Sequence, residues 1–197
     1  MLVDMYKKDI YDIYRLVDKT RHLKRFNNVS YIEGYEDSVL NHSGRVTFLA
    51  IEMAYYLMKE FNVSVDVFLM VRIAMFHDLA EMKTGDLSGP VKDEVPEIRR
   101  LLELVEQEYL KDVFYKSFIN QIYNDDSIER QIVFLADKLD VLFQMNILEN
   151  KYPKRTDQYK NIQHIKKAAL KRIEKIDIYK KYFKQFFKLG DVYDEIM

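Results

Sequence analysis

The sequence predicts an all-α fold, a single helical bundle, and three observations carry that expectation. Apolar residues recur at steps of three and four almost everywhere instead of alternating. Only 5 Gly and 3 Pro interrupt the 197 residues, so long helices are favoured over a turn-rich sheet architecture. The hydrophobic fraction is 48%, enough for one real core, because a domain of this size buries well over half the surface its unfolded chain exposes. Residues 1–197 are therefore read as one domain, its core at about 20–150 and a basic helix at about 158–189 packing on that core. No internal repeat or low-complexity linker divides it.

The first helix is expected from Asp4 to about Leu23, with Ile10, Ile13, Tyr14 and Val17 as its apolar stripe. It ends in the basic turn RHLKRFNN, and Asn27 to Asp37 contains Gly34 and other turn-formers. Ser38 is placed to cap a second helix, Val39 to Phe61, whose Leu49, Ile51, Met53, Ala54, Leu57 and Met58 suit a central position. Ser64 is expected to cap a third helix, Val65 to Met82, followed by the longest loop, Lys83 to Glu94. Pro96 stands where a helix start tolerates proline, and a fourth helix runs to about Phe118 with a break near Lys111. Asp126 and Glu129 have the spacing of a capping box for a fifth helix, Ser127 to Asn150, and Pro153 ends the turn after it. The last helix is expected from Gln158 to Leu189, burying Ile162, Ile165, Ala169, Ile173, Ile176 and Tyr179, with Gly190 as its C-cap.

Composition excludes several function classes. Lys+Arg 31 against Asp+Glu 32 leaves a net charge of −1, so no global field draws the chain to nucleic acid or an anionic membrane. The basic face of the last helix reads as a solvated surface, because aromatics do not interleave with its charges as stacking platforms would. With no cysteine, disulfides, thiolate metal sites and cysteine nucleophiles are all ruled out. The N-terminus mixes charge into its first dozen residues, unlike a secretory signal. The apolar runs FLAIEMAYYLM and VFLMVRIAMF are too short to span a bilayer. A cytoplasmic location is expected.

The chemistry concentrates in MFHDLAEMKTGDLSGPVK, Met75 to Lys92. His77 and Asp78 sit side by side near the end of an apolar helical pattern, Glu81 lies four residues beyond the histidine, and Asp86 follows the Thr84-Gly85 break. Adjacent helix positions point about 100 degrees apart, so the pair can straddle a metal in a groove between helices but cannot both face one neighbour. Further ligands must come from other helices. Of the four histidines, His42 lies in the first turn of an apolar helix, whereas His22 and His164 belong to no pattern. Asp137 lies inside FLADKLD, where burying a lone carboxylate is costly without a partner. Two imidazoles and two carboxylates suit one divalent ion, Mn, Co, Ni, Fe, Zn or Mg, with positions left for water and a substrate oxygen. Plainer readings stand beside these: Asp137 pairing with Lys138, Glu81 on the surface, Asp86 capping the Gly85 turn, and Arg25 in a solvated basic run.

In order and spacing, His42, His77, Asp78 and Asp137 resemble the ligand set of the HD-domain metal-dependent phosphohydrolases. The strings SVLNHS, FHDLAEMKTGDLSGPVK and FLADKLD look like the 5'-deoxynucleotidase group, whose members remove phosphate from deoxynucleoside monophosphates. The resemblance covers about residues 20–145. It implies that Glu81 handles the proton of the attacking water and that Asp86 contacts the sugar. It further implies that Arg25 faces phosphate or sugar, that Phe26 lies against the nucleoside, and that the protein is a homodimer. Arg25 and Lys92 would offset the charge of the phosphoryl group.

Two departures matter. Asn41 stands before the first ligand histidine where that group often has an acid, which leaves the support of His42 open. Met82 follows Glu81 where the guanosine tetraphosphate hydrolases of the superfamily carry a second acid, which counts against that substrate. The spare histidines lie outside any further motif, so one metal is expected instead of two or three. The alternatives kept are a deoxynucleoside triphosphate triphosphohydrolase on the same site and a non-catalytic nucleotide-binding sensor or interaction module.

Overall fold

The computed structural model of the chain describes residues 7–8, 10–25, 37–87, 92, 94–124 and 126–184. Every regular element among them is helical: α1 Ile10–Thr20, α2 Val39–Phe61, α3 Val67–Phe76, α4 Glu81–Thr84, α5 Pro96–Leu110, α6 Lys116–Tyr123, α7 Ile128–Glu149 and α8 Asp157–Ile173, then a π-helical turn Tyr179–Phe183. No helix among the described residues is long and apolar enough to cross a membrane.

The centre of the bundle is α2, α3 and α7 packed on one another, with α8 laid along α7. On α7, Ile132, Leu135, Ala136, Leu139 and Leu142 are all buried, a spacing that puts them on one face, and each large aliphatic contributes about 1.5–3 kcal/mol on burial. α2 answers with Val46, Ala50, Met53, Ala54 and Leu57. At the C-terminal end of α3, Phe76 stacks against Phe114 with ring centroids 5.2 Å apart, and Phe114 meets Phe118 edge-on at 5.1 Å. That aromatic cluster anchors the residues just before His77.

Several elements match the expected ones and several differ for local reasons. α2 has the expected bounds; Ser38 is extended and its hydroxyl accepts from the Asn41 N–H. The third helix is interrupted. Asp66, not Ser64, caps α3 by accepting from the Leu69 N–H at 2.9 Å. The helix stops at Phe76, and the His77 ring Nδ1 bonds the Ala74 carbonyl at 2.8 Å. The chain then tightens into i→i−3 bonds, Leu79 to Phe76 and Glu81 to Asp78, before α4. The fourth helix does break at Lys111, and α6 continues to Tyr123.

Ser127 caps α7 by accepting from Arg130, and Glu129 accepts from the Asp66 N–H at 2.7 Å, so the two acids Asp126 and Glu129 do not form a capping box. The last helix is not continuous to Leu189: tight bonds from Lys175 and Ile176 close α8, and the Ile178 N–H turns to Gln131. Its buried stripe is the expected one, Ile162 through Tyr179. In α1 the stripe fails: Ile13 is buried, but Ile10 is 85% exposed and Tyr14 62%. Ile51 and Met58 of α2 are also exposed. Phe26, Gly34, Pro90 and Gly190 lie outside the described residues.

Candidate metal and active site

His42 enters the centre of the bundle from the first turn of α2 and is fully buried. Its Nδ1 lies 2.7 Å from Asp140 Oδ2. Arg45 bonds both oxygens of Asp140, Nε to Oδ1 at 2.6 Å and Nη2 to Oδ2 at 3.1 Å, and grips Asp37 with its other face. This Asp37–Arg45–Asp140 chain orients the His42 ring and leaves Nε2 for the cluster. The second histidine is held differently. Its Nδ1 is committed to the Ala74 carbonyl, so the turn that ends α3 also aims His77 Nε2 inward.

Asp78 Oδ2 stands 3.3 Å from both His42 Nε2 and His77 Nε2, and Asp137 Oδ1 lies 3.4 Å from His42 Nε2. One donor atom each from His42, His77 and Asp78 fall within 4.8 Å of one another. Both Nε2 atoms are buried without an aligned hydrogen-bond partner. Buried polar atoms of native proteins nearly always have a partner, so these two nitrogens, flanked by carboxylates, fit a divalent cation with mixed nitrogen and oxygen ligands.

The electrostatics agree with that fit. Burial and Arg25 oppose charge on His42, yet the carboxylates of Asp137, Asp140 and Asp78 outweigh them and push its pKa up to about 10. The site thus strongly favours a positive charge at its centre. Asp137 is held well below the usual carboxylate range, burial being overcome by the Lys138 ammonium and by His42. Asp78 is lowered as well: its burial is outweighed by the two histidines.

Around this cluster stand the expected substrate groups. Glu81 is 6% exposed, which excludes the surface reading, and its Oε1 lies 3.6 Å from Lys92 Nζ. Burial beside the charges of Asp78 and Asp86 pushes the Glu81 carboxyl well above its usual range, with Lys92 and Arg25 pulling the other way. Gly85 has φ +77°, a conformation that favours glycine, and there the chain swings from α4 so that Asp86 returns to the cleft. Asp86 Oδ2 is 3.8 Å from Arg25 Nε, and Arg25 Nη1 is 3.4 Å from Asp78 Oδ2. Arg25 is buried, its backbone tied to the start of α2 by its N–H to Asp37 O at 3.1 Å, so it is no part of a solvated run. His22 and His164 are exposed.

The cleft has two lobes that share Asp78, Glu81, Lys92, Arg99 and Asp137. One, of about 180 Å³, opens between α5, α6 and α7; the other, of about 120 Å³, holds Arg25 and Asp86 and runs along α8. Sequence reasoning missed four contributors to the site. Asp140 replaces the support that Asn41 lacks, Asn41 itself being exposed, and its signal was available as a second acid three residues after Asp137 on the same apolar helix. Arg45 and Asp37 carried no local signal. Glu106, on α5, accepts from Thr84 Oγ1 at 2.9 Å and from Tyr123 Oη at 3.3 Å, and so ties α5 to the turn between Glu81 and Asp86.

Comparison with known proteins completes the picture. A 5'-deoxynucleotidase from Vibrio vulnificus is 32% identical over 115 residues, a stretch covering 52% of this chain and 58% of that protein. A Vibrio cholerae 5'-deoxynucleotidase matches to the same extent, so the chain spans somewhat over half the length of these curated relatives. Among solved structures, a conserved hypothetical protein from Pyrococcus furiosus superposes with a TM-score of 0.66 at 26% identity, covering 94% of this chain and 98% of that one. An HD-domain phosphohydrolase from Listeria innocua shares the fold, with a TM-score of 0.70, 20% identity and coverage of 95% and 97%. The profile of the YfbR-like 5'-deoxynucleotidases matches residues 12–189, nearly the whole chain, and on that match the chain belongs to the YfbR-like 5'-deoxynucleotidase family.

Proposed function

We propose that the protein removes the 5'-phosphate from deoxyribonucleoside monophosphates, using one divalent metal ion held by His42, His77, Asp78 and Asp137. The observation that carries this reading is the pair of buried, unpartnered Nε2 atoms beside two carboxylates, set in a cleft with a buried acid and a buried arginine. A bound divalent ion supplies Lewis-acid polarisation of the phosphoryl group and of water.

The chain's own residues do the rest. Glu81, whose carboxyl burial and the neighbouring Asp78 and Asp86 charges raise well above its usual range, takes the proton of the attacking water as general base. Lys92 steadies the Glu81 carboxylate and, with Arg25, balances charge building on the phosphoryl oxygens. Asp86, fixed by Gly85 and Arg25, accepts a hydrogen bond from a sugar hydroxyl. Phe26, next to Arg25, is assigned to the nucleoside.

The whole chain 1–197 serves as one HD domain in this reading, acting in the cytoplasm on the nucleotide pool. A second copy of the chain is its partner. The exposed stripe Phe48, Ile51, Tyr55 and Met58 along α2 supports a homodimer face.

The experiment incubates metal-loaded protein with a panel of deoxynucleoside and ribonucleoside mono- and triphosphates, measuring phosphate and triphosphate release separately. Phosphate release from the deoxynucleoside monophosphates is expected. Triphosphate release would transfer the reading to a triphosphohydrolase, and no release with Mn, Co or Mg would leave a nucleotide-binding module. Glu81→Ala should retain the metal and lose rate by about 10²–10⁴-fold, the usual contribution of a general base, and an unchanged rate would remove Glu81 from its role.

A further inference from the structure

We propose that the α8 wall of the lobe containing Arg25 and Asp86 is the seat of the substrate's nucleobase, with Arg172 as its stacking residue. This rests on the deoxynucleotide reading of the site. A phosphoryl group at the residues shared by the two lobes borders both of them. In an in-line displacement the attacking water and the leaving oxygen lie on opposite sides, so the nucleoside occupies one lobe and water approaches from the other.

Asp86 and Arg25 mark the nucleoside's lobe. Beyond them it is walled by Lys138 and Arg172 and by the apolar Leu87, Val141, Ile165, Ala168 and Ala169. Leu87 directly follows the residue assigned to the sugar. Ile165, Ala168, Ala169 and Arg172 recur at steps of three and four, one face of α8. Ala168 is half-buried and Ala169 buried, and their short side chains leave room in the lobe that larger ones would fill, room for a planar heterocycle. Arg172, one turn beyond Ala168 and half-buried, presents a planar guanidinium that stacks on aromatic faces. In the opposite lobe Glu106 is committed to Thr84 and Tyr123, holding the turn that carries Glu81 and Asp86.

The test compares kcat/KM for dAMP with that for 2-deoxyribose 5-phosphate, which has the sugar and phosphate and lacks the base. Ala168→Leu fills the wall and Arg172→Ala removes the stacking plane. Each should lower the ratio of the two kcat/KM values about tenfold, within the usual worth of a stacked base. Calorimetric titration of metal-free protein with 2'-deoxyadenosine should show the same loss of affinity in both variants. An unchanged ratio in both folded variants overturns the proposal, and so does an equal loss for both substrates on Arg172→Ala, which would make Arg172 a phosphate contact. A drop caused by Leu102→Phe in the opposite lobe, with none from Ala168→Leu, places the base there and also overturns it. Failure of the activity reading looks different: neither compound is hydrolysed, while deoxyadenosine still binds in an Ala168-dependent way.

Discussion

Asp140 lines neither lobe of the cleft, yet its replacement should be among the most damaging changes to metal binding. It is 3% exposed, accepts from His42 Nδ1 at 2.7 Å and is gripped by Arg45 at 2.6 and 3.1 Å. In Asp140→Asn the shape is kept and the anion lost. The amide can still accept one bond from the ring, but it no longer stabilises positive charge on His42, and one of its contacts to Arg45 becomes a donor facing a donor. Loss of such support behind a ligand histidine typically costs 10–100-fold in metal affinity, or about 1.4–2.7 kcal/mol. Asp140→Ala adds the cost of leaving Arg45 and His42 short of charge-assisted bonds, about 2–3 kcal/mol of fold stability, moderated because Arg45 keeps Asp37. The assay is Mn²⁺ titration against a chelator of known affinity, with thermal melts in parallel to separate binding from folding. If Asp140→Asn bound Mn²⁺ within twofold of the parent while His42→Ala lost it, the orienting role argued for the Asp37–Arg45–Asp140 chain would be refuted.

Three further outcomes follow from the same geometry. His77→Ala and Asp137→Ala should each abolish metal retention, measured by metal content after gel filtration; stoichiometric metal in either variant removes that residue from the ligand set. Lys92→Met should move the acid limb of the kcat/KM profile to higher pH, because the Lys92 ammonium lowers the Glu81 carboxyl and its loss leaves burial and the Asp78 and Asp86 charges opposed by Arg25 alone; a limb that stays or moves to lower pH contradicts Glu81 as the base. At the far end of α7, Glu149 bonds three residues of α8, Lys166, Tyr159 and Gln163, and Lys166 is almost fully buried. Glu149→Ala should cost about 3 kcal/mol by stranding that ammonium, a Tm drop of about 6–12 °C. The Glu149 carboxyl is raised by its burial but lowered further by these partners, so it lies below its free value of 4.5. Its contribution is therefore complete above about pH 4.5 and is lost as acid protonates the folded carboxylate below that, and a parent protein no less stable at pH 3 than at pH 6 would sink the argument.

What the sequence determined by itself was whatever a local signal encodes. Ser38 with a helical run behind it defined α2 at both ends, since a cap and a periodic apolar face are nearest-neighbour properties. The buried stripe of α8 was legible for the same reason, and so was the break at Lys111. The candidate cluster was legible because a charged residue inside an apolar helix, as at Asp137, or two polar residues at its end, as at His77 and Asp78, contradicts the pattern around it. Tertiary structure decided the rest. The end of α3 at Phe76, where the chain tightens into i→i−3 bonds, and burial in α1, which depends on what lies opposite Ile10 and Tyr14, are not recorded by periodicity. Asp140 came to support His42 across 98 residues of chain, and Arg45 to hold Asp140 across 95. Such pairings exist only once α2 and α7 are packed, because the free energy that orients His42 comes from groups brought together by the core.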